Sequence, residues 1–502
     1  MKEKILFYTD GWFLNFGIAK YLQEDKNFDF YAIVNFEKKA KKFFLEQTLV
    51  EYKKIWFFLD HISTPISKPD IKYLQNFEKK YSINLWQLAY FDRDFLHYNE
   101  LYRFSDTEIL SIIEKECKFF EMILDEVNPD YLSIFLTTTH YQELLRRICK
   151  ARGIKILMLG PSRFGNRSTI SQEGALLDDD YSSMPNDFKE TKTFNGLRNY
   201  IKKYDATKEG KQYTKKAFEE KKQARYQSLA KFFFTIHPEN YKKLYYNFGR
   251  TRTKVLLNKI MNFIRKKYRY YFINKTFQKS IDETIPFIYF PLQMEPERII
   301  LMNAPYYTDQ VAVITNIAKS LPVGITLLVK EHPVMKVVSW REISFYKRLM
   351  HLSNVRLIHP SYSNEDIIKK SLMVISIAGT TGLEGIFYGK PVITFTKQIY
   401  SSIPSVHEVK KMDDLPSIIR SQLQNTPNTI DLQNFIHYIE KNTFEFDYMN
   451  MTIDFAYRFG FKGQIMDTEL SIQEVESFLK EYEKEFRILV NEHKKKIKNL
   501  IT

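Results

Sequence analysis

The sequence predicts an α/β protein built on two parallel sheets of the Rossmann kind, with helical segments added. Three observations lead there. Short apolar runs of strand length recur between helical stretches in both halves of the chain. Residues 374–396 (VISIAGTTGLEGIFYGKPVITFT) read strand, turn, helix, strand, and so short a crossover between buried-type strands implies parallel pairing. At 502 residues, 44% of them hydrophobic, the chain has length for two or three domains with substantial cores.

In the first half the apolar runs are 4–8 (KILFY), 30–36 (FYAIVNF), 55–59 (IWFFL), 131–136 (YLSIFL) and 155–159 (KILML). Helical segments separate them, which places a ligand at the strands' C-terminal ends. Those ends carry Asp10, Asp60-His61, the run Thr137-Thr138-Thr139-His140, and Arg163. Gly11 and Gly17 around Asp10 suit a loop close to a ligand, and an ordinary turn acid before Gly11 fits the same residues. Residues 85–95 interleave aromatics with Asp92, Arg93 and Asp94. An intramolecular ion pair at a helix or loop edge accounts for that pattern better than an acceptor-facing surface.

From about residue 161 to 286 the strand signals fade. Residues 168–196 are polar and turn-rich, with Asp178-Asp179-Asp180, and predict a long solvated loop; three consecutive acids do not converge on one point. Residues 197–279 read helical and basic. Between 241 and 280 there are twelve Lys or Arg and no Asp or Glu, with Tyr and Phe interleaved. Val255, Leu256, Ile260, Phe263 and Ile264 gather toward one side of a helix. Such a helix either lies on an anionic membrane surface or packs on the protein body with a solvated basic face. No signature of a nucleic-acid-binding module accompanies it.

At Pro286 the α/β pattern returns with a strand at 287–290 (FIYF) and a ligand-edge loop through Gln293 and Glu295. An amphipathic helix at 308–320 follows, then a strand at 325–330 ending in Lys330-Glu331-His332-Pro333. Ser363, with Asp366 three residues on, resembles a capping box. It opens the helix that feeds 374–396. There the strand breaks at Ala378-Gly379, a helix opens at Thr380-Thr381 and closes at Gly389, and Pro391 stops it continuing. Gly379 permits close backbone approach. The N–H groups and hydroxyls of Thr380 and Thr381 stand where a helix N-terminus favours a phosphate, and Glu384, one turn on, is placed to accept from a sugar diol. Simple capping by Gly-Thr-Thr, with Glu384 as a first-turn acid, fits the residues as well. His332 at a neighbouring strand's end weights the ligand reading. Residues 401–411 then form an edge loop, and 470–500 a long amphipathic helix packed on the N-terminal domain.

The formal net charge of +15 points to an anionic partner, and an AT-rich coding sequence accounts equally for the abundant Lys, Phe, Tyr and Asn. No apolar run reaches the roughly 18 residues of a membrane span, and MKEKILFYTDGWF holds no signal-peptide pattern, so a cytoplasmic protein is expected. Cys117 and Cys149 lack metal-type spacing and are expected reduced and structural.

The order 287–293 (FIYFPLQ), 329–333 (VKEHP) and 355–395 (VRLIHPSYSNEDIIKKSLMVISIAGTTGLEGIFYGKPVITF) resembles the capsule polysaccharide biosynthesis family. These are GT-B-type glycosyltransferases that include bacterial Kdo transferases, and they are more distantly similar to sialyl- and polysialyltransferases with a His-Pro motif. The resemblance spans residues 286–425. It implies two Rossmann-type domains facing across a cleft: 1–165 for the acceptor, 286–425 for the donor, 166–285 as a polar loop and basic helical insertion, and 426–502 as helices packing back on the N-terminal domain. His332 and the Thr380-Thr381 pair would bind the donor phosphate, Glu384 would sit near the ribose, and Lys330 would add a cation. Gly379 stands where a Ser is common, and Gly385 where Ala is common, the latter a minor packing change. An inverting enzyme would need a base in the N-terminal half, for which Asp10 comes first and His140 second. The implied donor is a CMP- or UDP-sugar, with no metal or other cofactor, and the acceptor a surface or capsular polysaccharide or glycolipid. A teichoic-acid-like glycerophosphotransferase, a nucleotide-sugar epimerase, or a non-catalytic assembly partner would share the fold.

Overall fold

Apolar runs whose side chains are covered on both faces belong in the middle of a doubly covered sheet, and both halves of the chain supply them. The computed structural model describes residues 2–63, 67–96, 100–174, 176–178, 192–202, 244–338, 340–460 and 468–501. The first sheet takes β1 (Glu3–Thr9), β2 (Phe28–Val34), β3 (Lys54–Phe57), β4 (Tyr131–Phe135), β5 (Lys155–Pro161), β6 (Arg167–Ser171) and, near the end of the chain, β13 (Phe444–Glu445). The second takes β7 (Phe287–Pro291), β8 (Thr326–Lys330), β9 (Val355–Ile358), β10 (Val374–Ser376), β11 (Val392–Thr394) and β12 (Val406–Glu408).

The strand orders are β13-β6-β5-β4-β1-β2-β3 and β12-β11-β10-β7-β8-β9. Numbered from β1 and from β7, each contains the sequence 3-2-1-4-5-6, the Rossmann order. Pairing among β7–β12 is parallel throughout. In the first sheet β1 to β5 are parallel, while β6 runs antiparallel to β5 and β13 antiparallel to β6. Each sheet therefore has a topological switch point, between β1 and β4 and between β7 and β10. The crevice beyond the strand ends at such a point is where open α/β sheets hold ligands. Two Rossmann-type units of this kind make the fold GT-B-like.

The units do not follow the expected boundaries. One comprises Met1–Asp178, Tyr204–Arg252 and Asn442–Thr502; the other comprises Asp179–Lys203 and Thr253–Lys441. The stretch 166–285, expected as an insertion, is thus divided between them. Its opening residues form β6 where a loop was expected, because the strand's polar side chains are buried with partners. Arg167 Nε donates to Thr443 Oγ1 (2.6 Å) and Ser168 Oγ to the Phe446 carbonyl (2.8 Å). An apolar-run criterion cannot see a strand of that composition. Asp178 accepts from the Gln172 N–H (3.0 Å) and pairs with Lys496 (2.8 Å), and Asp179 and Asp180 lie outside the described residues.

The strand expected at 55–59 ends at Phe57, since the helix Phe58–Ile62 begins at once. Phe58 is as buried in that helix as it would be in a strand, which is why its apolarity misleads. The long C-terminal helix is two, Ile472–Glu481 and Glu483–Ile501. The second lies on the helix Leu14–Leu22 at Gly17, where an added Cβ would meet the Phe486 ring at 2.0 Å. Gly17 therefore serves helix packing, not the ligand loop the sequence suggested. Tyr21 donates to the Leu479 carbonyl (2.7 Å) beside it.

Candidate functional site

In the second unit β7, β8 and β10 end side by side, with β7 between the other two. Strands about 4.8 Å apart put the ends of β8 and β10 roughly 10 Å from each other. Gln293, just past β7, ties the group together. Its side-chain amide donates to Ser376 Oγ at the end of β10 (3.2 Å), and its backbone N–H donates to Gln310 Oε1 (2.8 Å). Its carbonyl accepts from Arg341. Gln293 and Glu295, which the sequence offered to a ligand, are held inside this network, for Glu295 pairs with Arg341 and accepts from Gln310.

Past β8, Glu331 is almost fully buried and satisfied on both oxygens. Oε2 accepts from Arg341 Nε (2.9 Å) and Tyr346 OH (2.6 Å), and Oε1 from the His332 N–H (2.7 Å). That carboxylate fixes the start of the His-Pro turn. The imidazole of His332 is half-buried, and its Nδ1 accepts from the Val334 N–H (3.3 Å). Burial holds its pKa below the ordinary value; Glu331 opposes that, while Arg341 and Lys330 add to it. The ring is therefore neutral at pH 7 with its proton on Nε2, a donor that no described residue engages.

Lys330 departs from expectation. It is buried, and its ammonium donates to the Tyr362 carbonyl (2.7 Å) and to Asn364 Oδ1 (2.6 Å), which also accepts from Tyr289 OH (3.1 Å). Burial lowers its pKa to about 8, against the pull of the Glu384 carboxylate. Two of its three donors hold the 362–364 turn, so it acts beneath the site rather than as a cation reaching out to phosphate.

At the end of β10, Gly379 takes φ +103°, which strongly favours glycine. Its N–H donates to Gln398 Oε1 (3.3 Å) and its carbonyl accepts from Tyr400 OH (2.6 Å). The glycine shapes the turn, but its N–H is not available to a phosphate. The helix Thr381–Phe387 follows, with Thr380 exposed at its N-cap and making no side-chain cap bond. The capping reading of Gly-Thr-Thr therefore fails for Thr380. Glu384 is exposed, and desolvation raises its carboxyl above the usual range while Lys330 opposes. Gly385, expected to matter little, is where the helix lies against the sheet: an added Cβ would stand 2.9 Å from Val374 Cγ2.

In the first unit Asp10 closes β1 and the run Thr137–His140 follows β4, on either side of the β1/β4 switch point. Asp10 Oδ1 accepts from the Trp12 N–H (3.1 Å) and Oδ2 from Gln142 Nε2 (2.8 Å). Burial raises its pKa to about 6, against both hydrogen bonds. Gln142 belongs to the first turn of the helix His140–Ala151 and also caps it, its Oε1 accepting from the N–H of the N-cap residue Thr139 (3.3 Å) and from that of Thr138 before it (2.8 Å).

His140 has to be withdrawn as a base. It is fully buried, with Nδ1 on Asp92 Oδ2 (2.5 Å) and Nε2 on Glu116 Oε2 (2.8 Å). Burial alone disfavours the imidazolium, but Glu116 and Asp92 outweigh it and push the pKa up to about 10. A ring protonated at neutral pH and enclosed between two carboxylates has neither a lone pair nor a face for an acceptor. Asp92 thus makes an internal ion pair as expected, but in the core and not at an edge.

No local pattern pointed to Arg341, Gln310, Gln398 or Tyr400. Only Glu331, an acid beside a histidine at a buried strand's end, signalled that a cationic partner was required. Among the described residues no group of three or more His, Cys, Asp or Glu is placed to hold a metal ion, and no helix is long and apolar enough to cross a membrane.

Residues 189–410 match the family model described as capsule polysaccharide biosynthesis protein. No curated protein matches the chain. Among solved structures, the UDP-GlcNAc 2-epimerase of Methanocaldococcus jannaschii is 13% identical over 87% of this chain and 100% of its own, with a TM-score of 0.24. The β-Kdo 2,7-transferase KpsC of Thermosulfurimonas dismutans is 12% identical over 66% and 82%, with a TM-score of 0.28. Its β-Kdo 2,4-transferase counterpart is 11% identical over 64% and 87%, at 0.30. Likenesses this slight carry no argument, and the fold rests on the chain's own strand order. The matched stretch contains the His332 turn, the Gly379 turn and every strand of the second sheet, and it is this part of the chain that is similar to the capsule polysaccharide biosynthesis protein family.

Proposed function

We propose that the chain is a glycosyltransferase moving a sugar from a CMP- or UDP-activated donor to a surface or capsular polysaccharide or glycolipid acceptor. The observation that carries this reading is the neutral imidazole of His332, its Nε2–H unengaged by any described residue, held by Glu331 past the end of β8, one strand from the switch point of the second sheet. Departure of a nucleotide builds negative charge on phosphate oxygens, and donors fixed beforehand stabilise that charge best. His332 Nε2–H and the hydroxyls of Thr380 and Thr381 supply them. Glu384 accepts from the ribose diol, and buried Lys330 keeps that carboxylate ionised.

In an inverting transfer the acceptor oxygen bonds to the anomeric carbon, the bond from that carbon to the phosphate oxygen breaks, and the nucleotide leaves with the electron pair. Asp10 takes the acceptor proton. With a pKa near 6 it is ionised at neutral pH yet more basic than an ordinary carboxylate. The protein works in the cytoplasm, where nucleotide sugars are available.

The test is product analysis with radiolabelled CMP- and UDP-sugars, preceded by a thermal-shift panel of CMP, CDP, UMP and UDP to choose the donor. Label is expected in glycan, and His332→Ala is expected to abolish it without lowering the unfolding midpoint. Label retained on a nucleotide whose sugar has changed configuration would make the chain an epimerase. Full restoration of surface glycan by His332→Ala would make it a non-catalytic assembly partner.

A further inference from the structure

The helix Arg252–Thr276 is amphipathic in the inverse of the usual sense. Its single buried residue is Ile273, which joins the core of the second unit. The residues turned toward the protein include Asn258, Asn262, Lys266 and Arg269, and Arg269 donates to the Trp340 carbonyl (3.0 Å). The outer side carries the apolar groups: Leu257, Ile260, Phe263, Ile264 and Tyr271 are 61%, 48%, 60%, 55% and 62% exposed. At about 100° per residue, the inward stripe and the centre of this apolar face lie on nearly opposite sides of the helix. An amphipathic helix that packs on its own protein turns its apolar stripe inward. This one faces it outward over several turns, more than scattered exposed side chains would explain.

The charge around that face identifies its occupant. The helix holds eight Lys or Arg and no Asp or Glu. Two of the exposed cations lie over rings of the apolar face, Lys267 4.6 Å from the Phe263 centroid and Lys275 5.9 Å from that of Tyr271. Aromatic and aliphatic groups flanked by cations, with no acid among them, match the boundary between anionic headgroups and acyl chains. A second copy of the chain would meet the same positive charge on its own helix and be repelled.

We infer that residues 252–276 form a docking surface for an anionic lipid bilayer, with Ile260, Phe263 and Ile264 entering the acyl boundary while Arg265, Lys267 and Lys275 meet the headgroups. The inference needs no assumption about catalysis, so its failure would leave the transferase reading intact.

The experiment is co-sedimentation of the full chain with phosphatidylcholine vesicles containing about 30% phosphatidylglycerol, and with pure phosphatidylcholine vesicles. Binding is expected to be at least about tenfold stronger to the anionic vesicles, and to fall as salt rises. I260E/F263E and R265Q/K267Q/K275Q should each lose it with unchanged unfolding midpoints, all five side chains being exposed. Equal binding to neutral vesicles, or retained binding by I260E/F263E, would overturn the inference. So would a collapsed midpoint in that variant, which would show the face to be buried. A concentration-dependent dimer dissolved by I260E/F263E, with no vesicle binding by the wild type, would instead make the face an interface between copies.

Discussion

Gln142 Nε2 donates to Asp10 Oδ2 across 2.8 Å, joining the end of β1 to the first turn of the helix that follows β4. The bond opposes the burial that raises Asp10, so it sets the pH at which the carboxylate becomes a base. Gln142→Glu keeps the oxygen that caps the helix, removes the amide donor and adds a like charge. The acidic limb of kcat/KM is expected to move upward from about pH 6, with donor KM little changed. An unmoved limb would remove Asp10 from the proton transfer.

Asp10→Asn separates chemistry from stability. Loss of the base is expected to lower kcat by about 10²- to 10⁴-fold. Stability should not fall with it. The folded pKa of about 6 lies above the unfolded value near 3.9, so between those limits the folded state binds more protons. Stability from this group is therefore present at low pH and lost as pH rises toward 6. At pH 7 the Asn variant escapes the penalty of a buried carboxylate, and its unfolding midpoint should equal or exceed that of the wild type.

His140 is shifted in the same direction, but its window lies above neutrality. Its folded pKa of about 10 lies above the unfolded value near 6.5, so its contribution is complete below pH 6.5 and is lost as pH rises through 10. His140→Gln leaves Asp92 and Glu116 buried without their cation and should cost about 3–5 kcal/mol at pH 7. Denaturant midpoints measured from pH 6 to 10 should show the wild type converging on the variant as the pH rises. A constant gap would mean the imidazole is neutral in the fold.

Both Rossmann sheets were legible because their central strands are apolar on both faces, and the turn after β10 because Gly379, Gly389 and Pro391 punctuate it. β6 was not, since Arg167 and Ser168 are buried through hydrogen bonds to residues near 443–446, far along the chain. The site divided in the same way. His332 and Thr380 were found because local pattern places them at strand ends. The exclusion of His140 was invisible, because it depends on Asp92 and Glu116 converging from two other helical segments. Arg341 was missed for the same reason: Glu331 calls for a cation, but only folding shows that it comes from ten residues further along the chain.

Gly385 and Gly11 give the last contrast. Both flank a candidate site, and neither has a left-handed backbone. An added Cβ at Gly385 would lie 2.9 Å from Val374 Cγ2 and 3.3 Å from Val392 Cγ2, both on strands that cannot retreat without disturbing their neighbours. Overpacking of that kind costs about 1–3 kcal/mol. The helix would be pushed outward instead, carrying Thr381 and Glu384 with it, so Gly385→Ala should weaken nucleotide binding as well as lower the unfolding midpoint. At Gly11 an added Cβ meets nothing within 4 Å. Gly11→Ala should leave stability within about 0.5 kcal/mol of wild type. Paired thermal-shift titrations with the preferred nucleotide check both. Unchanged nucleotide affinity in Gly385→Ala would show that the donor does not rest on this helix.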